Sequence, residues 1–186
     1  MLQEETLFDM AYKGKFTAVK NLLDQDDKLK TKTDSSERML IHWAALGGHN
    51  DLVKHLLSIG SPVDPQDDYA ASKNWQSICI KLVENSADIN IADKRGATPL
   101  HRAASKGNVE VLKFLLAQEG LNIDAQDIYG NTALHLACEE DRQQEAKLLV
   151  AHGASLEVEN KERKTPLQLA SGSLARQLTK SNESAS

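Results

Sequence analysis

The apolar residues of this chain come in short clusters spaced three and four apart, separated by Gly, Asp and Asn. Val109, Val111, Leu112, Leu115 and Leu116 predict a short helix with a broad apolar stripe. Just before it, Leu100, Ala103 and Ala104 predict another, with one face small enough for a neighbouring helix to approach closely. Thr98 suits its N-cap and Pro99 its first turn, where a missing N–H costs nothing. Gly107 can close it in the left-handed conformation. Two short helices turning at a glycine make one supersecondary unit.

The unit recurs. Thr98-Pro99-Leu100-His101-Arg102-Ala103-Ala104 returns as Thr132-Ala133-Leu134-His135-Leu136-Ala137-Cys138 and as Thr165-Pro166-Leu167-Gln168-Leu169-Ala170. An earlier copy is Met39-Leu40-Ile41-His42-Trp43-Ala44-Ala45. His101 to His135 is 34 residues, and His135 to Gln168 is 33. A Leu-Leu pair and a Gly trail the copies, as in Leu56-Leu57 before Gly60, Leu115-Leu116 before Gly120 and Leu148-Leu149 before Gly153. Period and consensus together resemble the ankyrin repeat, whose core reads T-P-L-H-x-A-A. Asp93-Lys94-Arg95-Gly96 and Asp127-Ile128-Tyr129-Gly130 supply turn chemistry between successive units. The fold expected is an all-α repeat: an ankyrin-repeat solenoid of helix pairs joined by β-hairpin loops, with about six units, one of them truncated. Units fall near 4–33, 34–66, 67–92, 93–126, 127–159 and 160–180, the outer two acting as caps, with a disordered tail at 181–186.

Composition narrows the class of function. Hydrophobic residues make up 40% and aromatics 4% of the 186 residues, so the core must be Leu, Ile, Val and Ala. A net charge of -5 argues against a general nucleic-acid binder, which needs cations to neutralise phosphates. Cys79 and Cys138 are too few for a disulfide framework. The N-terminus lacks the basic and apolar regions of a signal peptide, and no apolar run is long enough for a membrane span. A cytoplasmic and nuclear setting is expected, with no membrane partner and no cofactor.

The C-terminal third narrows the resemblance. Gly130-Asn131-Thr132-Ala133-Leu134-His135-Leu136-Ala137-Cys138-Glu139-Glu140, then Glu145-Ala146-Lys147-Leu148-Leu149-Val150, Glu159-Asn160-Lys161-Glu162 and Lys164-Thr165-Pro166-Leu167-Gln168 are similar to the gankyrin family. Arg38, His42-Trp43-Ala44 and Gly60-Ser61-Pro62-Val63 fit the same family, and the chain then resembles a form lacking about one internal repeat. The resemblance implies an assembly chaperone of the proteasome regulatory particle, binding the C-terminal domain of a proteasomal ATPase subunit through its concave face as a monomer. It also implies links to a cyclin-dependent kinase, a ubiquitin ligase and the retinoblastoma protein. Hairpin tips and exposed sides of first helices line the binding surface of such arrays. Here these include Ser35, Ser36, Arg38, Leu46, Lys94, Arg95, Ser105 and Lys106. Further along come Ile128, Tyr129, Asn131, Glu139, Glu140, Lys161, Glu162 and Lys164, while Asp67, Asp68 and Glu159 lie just before tips. Arg38, Asp68 and Glu159 match places where the family pairs charges with its ATPase partner. Trp43 is an interface anchor or a partly packed core residue. Mixed charge along this line suits a mixed-charge protein surface.

Other chemistries fit less well. His42, His101 and His135 recur, but no Cys or carboxylate cluster completes a metal ligand set. Cys138 beside His135 lacks evident oxyanion donors, and no phosphate-cradling motif occurs, so no enzyme is expected. Leu136-Ala137-Cys138-Glu139-Glu140 spells the L-x-C-x-E of retinoblastoma-pocket ligands. It sits in a helix with Cys138 at a core position, and displaying it requires unfolding. The alternatives are an ankyrin adaptor regulating a kinase, ubiquitin ligase or transcription factor, or a poorly functional splice product.

His42 to His101 is 59 residues, about seven short of two periods. Ala70-Ala71 and Leu82-Val83 align with a repeat whose hairpin tip and T-P-L-H are missing. Either a stub of first helix at 69–73 turns at Asn74 into a second helix, or one helix runs from about 69 to 85; stack packing favours the stub. This joint has the fewest expected contacts and should open first. Limited proteolysis of the purified chain is expected to cut first between Asp64 and Asn74, and uniform resistance along the chain would refute it.

Overall fold

The computed structural model describes residues 5–36, 38–62, 76–85 and 88–183. Helix α1 spans Leu7–Tyr12 and α2 Phe16–Gln25, followed by a 3-10 turn at Asp27–Thr31. Then come α3 (Leu40–Gly47), α4 (Asn50–Ser58) and α5 (Gln76–Glu84). Two further pairs are α6 (Pro99–Lys106) with α7 (Val109–Leu116), and α8 (Ala133–Glu139) with α9 (Gln143–Ala151). The chain closes with α10 (Pro166–Leu169) and α11 (Gly172–Glu183). No strand occurs among the described residues.

The helices form two layers. First helices stack on first helices, α1 on α3, α6 on α8 and α8 on α10. Second helices form a parallel row, α4 on α5, α5 on α7, α7 on α9 and α9 on α11. The first layer is thin because its contact residues are small: Ala11, Ala44, Ala45, Ala103, Ala104 and Ala137 are all fully buried. The second row supplies bulk with Leu52, Leu56, Ile78, Leu112, Leu149 and Leu178. Helix α5 therefore holds the second-helix place of the shortened unit, with Ile78, Cys79 and Leu82 buried. The residues on which the stub and continuous-helix readings differ, 69–75, lie outside those described. At the C-terminus α11 runs to Glu183, so 181–183, expected in a disordered tail, are helical instead. Leu174 and Leu178 bury that helix against α9, which carries the helix past the repeat consensus.

Each hairpin tip is one tight turn closed by backbone bonds. Asp93 N–H donates to Ala97 O (3.0 Å), Asp127 N–H to Asn131 O (2.9 Å) and Asn160 N–H to Lys164 O (3.0 Å). The tips also bond to one another: Ile128 N–H reaches Arg95 O and Lys161 N–H reaches Tyr129 O, both at 2.9 Å. Such close approach dictates glycine at the tip. Gly130 has φ 77°, and a Cβ there would stand 2.9 Å from the Lys161 nitrogen. In the tip at 160–164 Arg163 takes the equivalent place at φ 57°. There a residue with a Cβ bears the left-handed strain.

These facts order three substitutions. Gly130→Ala is expected to cost about 1–3 kcal/mol. Gly153→Ala, at φ 90° with open space around the added methyl, should cost less. Arg163→Gly should gain up to about 1 kcal/mol, a rise of roughly 2–4 °C in Tm. Thermal unfolding of the three variants checks the order, and equal losses at Gly130 and Gly153 would remove the close-approach explanation.

Candidate functional site

The candidate face is built from tips and first helices, so what holds each tip comes first. In every unit with a described first helix, the third helical residue reaches back to its own N-cap. Asp9 accepts from Thr6 N–H at 3.0 Å, His42 Nδ1 from Met39 N–H at 2.8 Å, and Gln168 Oε1 from Thr165 N–H at 2.9 Å. His101 Nδ1 and His135 Nδ1 accept from Thr98 N–H and Thr132 N–H, each at 3.1 Å. This is the reciprocal half of a capping box, with imidazole in place of the usual carboxylate or amide. Because Nδ1 accepts from a backbone N–H, the ring is neutral with its proton on Nε2. That Nε2–H donates onward to the next tip, from His101 to Asn131 O (2.9 Å) and from His135 to Lys164 O (3.0 Å). Both nitrogens of these rings are consumed, which leaves neither for a metal.

Burial lowers the pKa of His101 and of His135, and the onward bonds to the Asn131 and Lys164 carbonyls only partly oppose it. Burial likewise pushes the Cys138 thiol up to about 12, with Asp141 adding to the effect, so it stays protonated. The L-x-C-x-E stretch is the end of α8 and its C-cap Glu140, with Cys138 buried, Leu136 half-buried and only Glu139 and Glu140 exposed.

The tips share a second device. Asp127 Oδ1 accepts from Tyr129 N–H (2.8 Å) and Asn131 N–H (2.9 Å), and Asn160 Oδ1 from Glu162 N–H and Lys164 N–H. At Asp93, burial raises the carboxyl pKa, but N–H donation from Ala97 and Arg95 and the Arg102 guanidinium outweigh it and leave the group below the usual range. The first residue of each of these tips is thus turned inward, while the next two point out. Lys94, Arg95, Tyr129, Lys161 and Ile128 are exposed, as are Lys106, Glu139, Glu140 and Glu159. The tips that carry Arg95, Ile128, Tyr129 and Lys161 are joined to one another by the backbone bonds given above.

The N-terminal end is different. Arg38, expected on the open surface, is half-buried: its guanidinium lies 4.8 Å from the Trp43 ring centre and its Nε 3.8 Å from Asp34. Trp43 is packed as well, donating its indole N–H to Asp34 (3.1 Å) and meeting the edge of Tyr12 at 6.0 Å. Tyr12 was missed in the sequence although it is 47% exposed. Register could have found it, since it precedes Gly14 as Ser105 precedes Gly107. Asn131, expected on the binding line, is spent on the stack: its carbonyl takes His101 and its Oδ1 takes Asn160. Asp67 and Asp68 lie outside the described residues.

Models of ankyrin repeats in three copies match residues 7–127, 68–160 and 119–183. This chain belongs to the ankyrin-repeat family. Its repeats are 32% identical over 152 residues to a transient receptor potential cation channel subfamily A member 1 homolog of Caenorhabditis elegans, covering 78% of this chain and 12% of that protein. They are 36% identical over 154 residues to potassium channel AKT2/3 of Arabidopsis thaliana, 77% of this chain and 19% of the channel. The chain thus spans less than a fifth of the length of either relative. Human 26S proteasome non-ATPase regulatory subunit 10 is 40% identical over 60 residues, 32% of this chain and 26% of that subunit. An ankyrin array is a protein-binding scaffold, and among the described residues no helix is long and apolar enough to cross a membrane.

A neutral buried His ties stability to pH. The unfolded chain binds a proton near pH 6.5 while the folded ring resists it, so stability is complete above that value and falls as pH drops below it. Carboxylates such as Asp93 lose their contribution only below the unfolded value of about 3.9, a separate window. The expected result is a declining Tm between about pH 7 and pH 5. His135→Gln, which keeps a cap acceptor of the kind Gln168 provides, should flatten that decline at a cost of about 1 kcal/mol at neutral pH. A slope unchanged in the variant would sink the assignment.

Proposed function

We propose that this ankyrin array is a chaperone of proteasome regulatory-particle assembly, holding the C-terminal domain of a proteasomal ATPase subunit on the face of tips and first helices. The observation that carries the reading is the stretch similar to the gankyrin family, together with the 40% identity to the human proteasome regulatory subunit over 60 residues. The line of exposed charges of both signs from Lys94 to Lys161 supports it, since mixed-sign complementarity selects a partner more than it adds affinity. The shortened unit predicts a weaker complex than a full-length relative forms, because a rigid face shortened in its middle cannot meet both ends of the same partner. The work assigned to the face is binding, and no catalytic step is assigned to the chain. Cytoplasm and nucleus are where such a partner resides.

Titration of the purified chain with C-terminal domains of proteasomal ATPase subunits, beside a cyclin-dependent kinase, tests the assignment. One ATPase domain is expected to bind, whether or not the kinase does. Glu159→Ala should weaken the complex about two- to fivefold, the loss of an exposed charge pair. Arg38→Ala should weaken it similarly and also lower stability by up to about 1 kcal/mol, because the guanidinium packs on Trp43. Binding of the kinase alone, or affinity unchanged in both variants, would turn the reading to an adaptor of another pathway.

A further inference from the structure

Four large apolar side chains are well exposed among the described residues: Tyr12, Phe16, Ile128 and Tyr129. Two have ring partners, since Tyr12 meets Trp43 and Phe16 lies 5.3 Å from the His55 ring. Ile128 and Tyr129 do not. They are consecutive, 46% and 55% exposed, and crown the middle tip of units four to six. Folding gains nothing from leaving two such side chains in water side by side. The neighbouring tips present Lys94 and Arg95 on one side and Lys161 on the other, all exposed and with no ion pair among the described residues. Of the acids nearby, Asp93 and Asp127 fold inward onto tip N–H groups and Glu162 pairs with Lys164 at 2.8 Å, which leaves Glu159, just before the last tip, as the exposed acid. The outermost side chains of these tips are thus cations at Lys94, Arg95 and Lys161 flanking an apolar crown. This ridge is rigid, since the inter-tip backbone bonds run through Arg95, Ile128, Tyr129 and Lys161 themselves. A preorganised surface binds without an ordering cost of its own.

We propose that the tips of units four to six bind an extended acidic segment of a protein partner, with one large apolar side chain seated against Ile128 and Tyr129. The proposal rests on the reading of the tip face as the binding surface and names the partner chemistry there. Carboxylates on either side of the anchor meet Lys94 and Arg95 at one end and Lys161 at the other. The exposed Glu139 and Glu140 at the far end of α8 repel the same segment and keep it along the ridge rather than across the helices. Single-stranded nucleic acid suits the site less well. It needs successive stacking rings, and the ridge has one ring and an aliphatic side chain, with Glu159 and Glu162 close by.

The test uses the full chain labelled with nitrogen-15 and a short synthetic peptide of Asp and Glu around one central Phe. Amide shifts are expected at 94–96, 128–130 and 161–163. Replacing the peptide Phe by Ala, or Ile128 and Tyr129 by Ser, should weaken binding about tenfold. Lys94→Glu with Arg95→Glu should weaken it comparably and reduce its salt dependence. None of these positions is buried or caps a tip, so the variants should melt as the parent does. No shift at about 1 mM peptide, shifts centred elsewhere, an Ala peptide that binds equally, or an oligouridylate that binds as tightly at the same amides would each overturn the proposal. If the peptide fails while an ATPase domain still binds in a manner sensitive to Glu159→Ala, the wider reading stands alone; loss of both removes both.

Discussion

The middle of this array depends on one side chain in each of two units being bonded in two directions at once. In units four and five it is a histidine whose Nδ1 holds its own helix cap and whose Nε2–H holds the carbonyl of the next tip. A helix of eight residues or fewer is marginal alone, because nucleation is costly and few bonds repay it. Fixing the cap and the neighbour through one rigid ring makes the local turn and the stack a single event. The ends of the array show the same rule by exception. Asp9 and Gln168 keep the cap-directed acceptor. For that cap-directed half a carboxylate or an amide serves as well as a ring.

The second helices are tied by a parallel device. His49 Nε2 bonds Tyr12 O at 2.8 Å and Arg142 Nε donates to Ser105 O at 3.2 Å, each from the start of a second helix to the end of the preceding unit's first helix. Between them, ring and tie leave the inner layer no room for larger contact residues, which is why alanine lines it. Cys138 is tolerated there only as a neutral thiol.

Tip chemistry separates structure from recognition within a few residues. Asp93, Asp127 and Asn160 satisfy the turn, and the two residues after each contribute backbone groups to it while their side chains take no part in closing it. Units can therefore vary Lys-Arg, Ile-Tyr and Lys-Glu at those places while the backbone ladder stays constant. At the N-terminal end the tip is less free: Arg38 and Trp43 close on Asp34 and on Tyr12, so charge and aromatic surface there serve packing as well as any partner.

The sequence by itself determined the repeat, its period, the helix pairs of units two, four and five, and the tips, because those depend on caps, glycines and small residues within one unit. It also marked Lys94, Arg95, Tyr129 and Lys161 as outward, from their place at the tips of an ankyrin-like array. Only the tertiary structure decided which candidates are spent between units. Asn131 bridges two tips, Arg38 lies over an indole, and Gly130 is required by the Lys161 backbone as much as by its own φ. It also decided the end of the chain, where burial of Leu174 and Leu178 against α9 extends the last helix through a segment whose composition reads as a polar tail. Local pattern fixes what a residue does for its own helix. What it does for a neighbour about thirty residues away follows from packing, which no single repeat encodes.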